Sequence, residues 1–158
     1  MSYNQNTWNN GDGLHLKFDT DQAEMINLGS YQGSDGRWVT EADVELSRLV
    51  AGANFLSYNF KVKEGAYIHS AHLAVPVAAA GGTSIEVGLY DTEGATAIDA
   101  DGFITTTATA AMTADAYITG NEGALVGDTA SDNGLIVVTS VGTFTAGRVK
   151  VRLVWEVL

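Results

Sequence analysis

The stretch GTFTAGRVKVRLVWEVL, residues 142–158, decides the fold. From residue 148 onward apolar and polar side chains alternate, as they do in a strand with one buried and one exposed face. The apolar row is Val149, Val151, Leu153, Trp155 and Val157. A slip of one residue would expose the whole row, so the pairing register of this strand should be firmly set. Burial of five such side chains contributes on the order of 10 kcal/mol, and we predict that the stretch belongs to the core.

The opposite row of this strand is basic. Arg148, Lys150 and Arg152 lie on it, three of only eight Lys and Arg in a chain with 19 Asp and Glu. This imbalance predicts an acidic face beside the row, in the same chain or in a neighbouring subunit. Exposed ion pairs usually contribute less than about 1 kcal/mol. Their expected role is therefore to orient the strands rather than to stabilise the fold.

Other segments alternate in the same way. One side of residues 38–47 carries Trp38, Thr40, Ala42, Val44 and Leu46, which predicts a strand, with a helix capped by Thr40 as the alternative. Residues 56–63 and 67–75 predict a hairpin that turns at 64–65, with a loop at 78–82. Pro76 is expected to end the second strand or to lie at a sheet edge. Residues 85–90 alternate again, and the apolar run at 135–141 is typical of a strand covered on both faces.

The remaining segments have weaker secondary-structure patterns. Residues 14–18 read as a short strand, and the polar segment that follows, up to residue 36, is dominated by turn-forming residues. Between residues 91 and 132 small and polar residues prevail. Within that region residues 105–112 favour one or two turns of helix, and residues 124–126 favour a short strand.

Composition sets the fold class. The chain of 158 residues has 46% hydrophobic residues, 18 Gly, one Pro and no Cys, which is typical of one compact domain with many tight turns and no disulfides. We predict an all-β fold, an antiparallel β-sandwich or jelly roll with at most a short helix, over residues 13–158. Residues 1–12 are rich in Asn and Gln and are predicted to form an N-terminal arm, with a frayed terminus as the alternative.

The net charge of −11 makes nucleic acid and anionic membrane surfaces unfavourable partners. The first residues lack the pattern of a signal peptide, and no apolar run has the length of about 20 residues that crosses a bilayer. We therefore expect synthesis in the cytoplasm.

No catalytic or cofactor-binding motif is present, and we predict no enzyme activity, no cofactor and no metal. His69 and His72 are an odd number of residues apart, so an unbroken strand would point them to opposite faces. Residues 92–103 contain Glu93, Asp99 and Asp101, but the full ligand spacing of a calcium loop is missing, and Asp and Gly also form turns without metal.

Three stretches resemble small virion structural proteins of marine and cyanobacterial tailed bacteriophages, of the capsid decoration or cement type. They are NNGDGLHLKFDTDQAE (9–24), SIEVGLYDTEGATAIDADGF (84–103) and the closing stretch 142–158. The resemblance implies a sandwich or jelly roll, often trimeric, that binds the outer surface of the head. Its implied partner is the major capsid protein, and its implied role is to stabilise contacts between capsid subunits.

The resemblance does not identify any binding residue in this chain. Tyr3 and Trp8 are the only large side chains of the polar arm, and exposed aromatic residues commonly anchor interfaces, so we expect them to bind the partner. The alternative function is a carbohydrate-binding or cell-surface-binding module of a phage head fibre or appendage.

Overall fold

The computed structural model describes residues 7–9, 15–17, 26–55, 62–93 and 96–158. In these ranges the chain forms strands joined by turns, with two single 3-10 turns at Leu46–Arg48 and Thr109–Ala111. The strands are β1 (Thr7–Asn9), β2 (His15–Lys17), β3 (Ile26–Gln32), β4 (Trp38–Glu45), β5 (Gly52–Phe55), β6 (Ala66–Gly81), β7 (Ser84–Tyr90), β8 (Ala97–Ala108), β9 (Ala116–Ile118), β10 (Leu135–Val141) and β11 (Phe144–Val157). No helix in the described part is long and apolar enough to cross a membrane.

The strand order is that of a jelly roll. One sheet has the order β3-β4-β11-β6-β9 and the other the order β5-β10-β7-β8, and all pairings within them are antiparallel. The chain crosses between the two sheets at almost every connection from β4 to β11, while β7 and β8 form a hairpin within one sheet. Eight strands divided in this way into two four-stranded layers make a jelly roll, and β3 adds a further strand at one edge. The predicted all-β sandwich is confirmed.

Strand β11 lies in the middle of the five-stranded sheet, between β4 and β6. Its apolar row faces the other sheet: Val149, Val151 and Leu153 are at most 2% exposed and Trp155 is 8% exposed. The prediction that this row is core is therefore confirmed for four of its five members. Val157, the last residue of the strand, is 52% exposed and does not contribute as predicted.

The predicted strand at residues 38–47 is confirmed as β4, and the helical alternative is wrong. Thr40, Ala42 and Val44 are buried on its inner face. Trp38 stacks on Trp155 of β11 with ring centroids 5.9 Å apart. The Trp155 indole Nε1–H donates a buried hydrogen bond of 3.1 Å to Oγ1 of Thr40. The alternation ends where the chain turns at Leu46–Arg48.

Pro76 does not end its strand, contrary to the prediction. Strand β6 continues to Gly81 through the residues predicted to form a loop. The register between β6 and β11 shifts between the pairs Ala74↔Lys150 and Val77↔Arg148, so Pro76 lies at a β-bulge. A bulge leaves one residue outside the ladder, and a Pro there loses no hydrogen bond.

Three further predictions are corrected. Ile26–Gln32, within the segment predicted to be turns, forms edge strand β3. Residues 105–108 belong to β8, and only Thr109–Ala111 make a 3-10 turn. Val126 makes a single parallel bridge to Ile68 instead of forming a strand with its neighbours. Strand β3 is ordered by pairing with β4, the end of β8 by pairing with β7, and Val126 by its bridge to Ile68. The local periodicity of these segments does not report such pairing.

Strand β8 shows this most clearly. Its register with β7 shifts between Val87↔Ile104 and Leu89↔Asp99, so several residues of β8 bulge out opposite Gly88. A Cβ atom at Gly88 would overlap the backbone of Asp99 and Ala100. The absence of a side chain at Gly88 is what lets the two strands approach there. The hairpin predicted across 56–75 is wrong for its described part, because β6 pairs with β11 on one side and with β9 and residues 126–129 on the other, and Val62 bridges to Gly134. Residues 56–61 lie outside the described residues.

We predict that Thr40→Val lowers the free energy of unfolding by about 1–3 kcal/mol, because the Trp155 N–H would stay buried without its acceptor. Urea unfolding followed by tryptophan fluorescence measures the loss. In a Trp155→Phe background the same substitution should cost much less, since no N–H is left unpaired. Equal losses in the two backgrounds would contradict the role given to this hydrogen bond.

Candidate partner-binding surfaces

The two predicted anchor residues lie in or before the first strand. Tyr3 falls outside the described residues. Trp8 is in β1, and its backbone registers with Leu16 of β2 in an antiparallel pair. The Trp8 side chain is also outside the described part, so the binding role of both residues stays a prediction. The proposed boundary at residue 12 falls in the connection between these paired strands, and the division into arm and domain likewise stays a prediction.

The outer face of the five-stranded sheet carries a ladder of opposite charges. Arg148, Lys150 and Arg152 of β11 register directly with three acidic residues of β4, namely Glu45, Asp43 and Glu41. Arg148 Nε lies 2.8 Å from Oδ1 of Asp43, and Arg152 Nε lies 3.4 Å from Oε1 of Glu41. The predicted acidic face is thus found in the same chain. Cross-strand pairs of opposite charge favour this register over its alternatives.

Two histidines lie on the same outer face, against the prediction of opposite faces. The register with β11 shifts near His69, between the pairs Ser70↔Val154 and Ile68↔Trp155, and this bulge inverts the alternation. His69 Nε2 is 2.8 Å from Oε1 of Glu156, in a half-buried pair. The His72 ring lies instead against the ring of Tyr117, and its buried Nδ1 has no hydrogen-bond partner within the described part of the chain. The two histidine rings therefore have different surroundings.

The first part of β8 brings two carboxyl groups together. Asp99 is half-buried beside Asp101, and burial, followed by the charge of Asp101 and a side-chain hydrogen bond to it, raises the pKa of Asp99 above its ordinary value. Gly102 lies against the Asp99 carboxyl, where a Cβ would come within 2.7 Å of Cγ. No group of three or more His, Cys, Asp or Glu side chains that could hold a metal occurs in the described part of the chain. The pair can share a proton, and it lacks the further ligands that a calcium ion requires.

One exposed aromatic residue was missed by the sequence analysis. Tyr117 of β9 is 59% exposed, and its ring centroid lies 5.4 Å from that of His72. The signal in the sequence is weak, because Tyr117 is a single aromatic residue within a segment of small and polar residues. In the structure it stands at the edge of the outer face, next to β6.

The fold has a counterpart among solved structures. No family model and no curated protein matches the chain. The chain is similar to a chain in the acidic stable capsid structure of Helicobacter pylori bacteriophage KHP30, with a TM-score of 0.50 and 16% sequence identity. The likeness covers 83% of this chain and 92% of that chain. At this identity it is a likeness of fold, spanning most of both molecules.

We predict that Asp99→Asn stabilises the protein at neutral pH. The pKa of Asp99 is raised in the folded state, so ionisation of Asp99 lowers the free energy of unfolding. The protonated side chain contributes its full stability below the ordinary pKa of Asp. This contribution is lost as the pH rises through the raised pKa. Asn cannot ionise. Its side-chain amide can still accept a hydrogen bond from the Asp101 N–H and donate a hydrogen bond to the Asp101 carboxylate.

The measurement is the melting temperature of both proteins between about pH 7 and pH 3, where the advantage of the variant should shrink as the pH falls. Asp132→Asn is the matched control, since it removes the same charge from an exposed residue whose Oδ1 accepts a local backbone hydrogen bond. An equal gain in the control would assign the effect to net charge instead of to the Asp99–Asp101 pair.

Proposed function

We propose that this protein is a non-enzymatic structural component of a phage virion. In this proposal it is a decoration protein, which binds the outer surface of the head and stabilises contacts between major capsid subunits. The observation that carries the proposal is the likeness of fold to a chain of a phage capsid structure, which extends over most of both chains. The specific decoration role, a trimeric state and an origin in marine or cyanobacterial phages rest on the sequence resemblance alone.

The jelly roll supports a structural role physically. Its inner faces are filled by apolar side chains from both sheets, including Leu73, Leu89, Phe103 and Leu153, all at most 1% exposed. Such a packed interior holds the sheets and their connections in fixed positions. A rigid scaffold loses little conformational freedom on binding, which favours stable attachment to a shell.

The charge supports a place on the outside of the head. With a net charge of −11, the protein would be repelled by packaged nucleic acid, whereas the solvent side of a shell imposes no such penalty. Many copies on one shell would also act together, because each bound copy that bridges two subunits raises the effective concentration for the next contact.

The described side chains give little support to the alternative function, sugar binding. Carbohydrate-binding faces commonly present aromatic rings to solvent, and Tyr117 is the one exposed aromatic side chain in the described part. Trp155 is buried, and Trp38 is half-buried against it. A glycan array separates the two functions, since reproducible sugar binding by the purified protein would favour the rival.

The direct test is binding of the purified protein to phage heads that lack it, measured by co-sedimentation, together with the temperature at which the heads break open. We expect saturable binding and a higher disruption temperature. Absence of the protein from purified virions, measured by mass spectrometry, would contradict the proposal.

We predict that a Tyr3→Ala, Trp8→Ala double variant binds heads at least about 30-fold more weakly, corresponding to an anchor contribution of 2 kcal/mol or more. The β1–β2 pairing of Trp8 uses backbone groups, so the melting temperature should be unchanged. Asn4→Ala is a matched control within the same segment and should bind normally. Unchanged affinity of the double variant would remove both aromatic residues from the binding mechanism.

A further inference from the structure

A short backbone pairing lies immediately before strand β10. Val62 and Gly134 form an antiparallel bridge in which the backbone N–H of each donates to the carbonyl of the other, at 2.9 Å and 3.0 Å. The Glu64 N–H donates to Oδ1 of Asn133 at 3.1 Å. The side-chain amide of Asn133 and the backbone N–H of the residue that follows it are therefore both held by the same neighbouring segment, residues 62–64.

Packing requires a glycine at position 134. Gly134 is buried, and a Cβ atom there would lie 2.2 Å from the carbonyl oxygen of Tyr90 and 2.6 Å from Cδ1 of Leu89. Distances this short leave no room for a side chain. Asn133 is exposed, and its side chain supplies the acceptor for the Glu64 N–H. The fold thus places an Asn directly before an obligatory Gly.

An Asn followed by Gly can change covalently without an enzyme. The backbone nitrogen of the Gly attacks Cγ of the Asn, so that an N–Cγ bond forms and the Cγ–Nδ2 bond breaks. The side-chain nitrogen leaves as ammonia and takes the proton that the backbone nitrogen gives up. Water then opens the cyclic imide at either carbonyl and yields aspartate or isoaspartate. Glycine favours the reaction, because it has no Cβ to hinder the attack and its backbone is the most flexible.

We propose that Asn133 is a site of spontaneous deamidation and that the fold holds it closed by engaging both reacting groups. The Gly134 N–H must break its bond to Val62 before its nitrogen can attack. The Asn133 side chain must also leave the Glu64 N–H before its Cγ can turn towards that nitrogen. Reaction is then limited to the moments when the pairing opens. This inference concerns the chain itself and is independent of a role in a virion.

Both products would disturb the start of β10. Aspartate at position 133 adds a negative charge directly after Asp132. Isoaspartate routes the main chain through Cβ and Cγ, which lengthens the backbone just ahead of Leu135, the first residue of the strand. Residues 135–138 are all buried, so a longer backbone there must strain the pairing or displace these side chains. A molecule in which the pairing opens often would therefore be altered irreversibly.

Peptide mapping by mass spectrometry measures the reaction. The full-length protein is kept at mildly alkaline pH, either folded or in guanidinium chloride, and loss of the Asn133 amide is followed with time. We expect this loss to be at least about tenfold slower in the folded protein, because the pairing must open first. Asn10 is the internal reference, since it also precedes a Gly in the same chain. In guanidinium chloride the two sites should react at similar rates.

Glu64→Pro removes the donor to Asn133 and is compatible with the turn. The Ala66 N–H donates to the Lys63 carbonyl at 3.0 Å across this turn. Gly65 has φ +79°, as in a type II turn, which favours Pro at the residue before it. Glu64→Gln is the matched control, because it removes the same charge and keeps the N–H.

We expect deamidation of Asn133 in folded Glu64→Pro to be about fivefold faster than in folded Glu64→Gln, which corresponds to the loss of one hydrogen bond. The melting temperature of each variant verifies that it is folded. Several results would overturn the inference. One is an Asn133 amide that stays intact in guanidinium chloride while Asn10 reacts. The others are equal rates at Asn133 in the folded and unfolded protein, or equal rates in the two Glu64 variants.

Discussion

The structure depends on the burial of one apolar row from each strand between the two sheets. Strand β11 sets the geometry of this layer, because it lies between β4 and β6 and its register with both is fixed by which residues must face inward. A shift of one residue would place Arg148, Lys150 and Arg152 in the core, at a cost that no other contact of the strand could offset. The position of every connection at the two ends follows from this register.

The same constraint distributes charge over the surface. Once β11 and β4 are in register, their outward rows meet as opposite charges, and Arg148 pairs with Asp43 at 2.8 Å. A chain whose net charge is −11 thereby keeps its basic residues of β11 paired with acidic residues of its own β4.

The sequence predicted β4, β7 and β11 from large apolar residues with a period of two, and β10 from its continuous apolar run. It also predicted an acidic neighbour for the basic row of β11. It did not predict the course of β6 beyond Pro76, the edge strand β3 or the length of β8. Bulges interrupt the period in β6 and β8, and small side chains such as those of residues 105–108 leave little pattern to detect. The inverted alternation at His69 has the same cause, because a single bulged residue reverses the faces of all that follow.

The central place of β11 also has a kinetic consequence. Glu41 and Arg152 are neighbours in the sheet although more than a hundred residues separate them along the chain, so this pairing closes a very long loop. Topologies dominated by such distant pairings fold slowly, on the order of milliseconds to seconds. Until residues 144–157 insert, β4 and β6 each present an open edge to any strand nearby, including the β11 of another molecule. Refolding yield should therefore fall at high protein concentration, through exchange of this strand between chains.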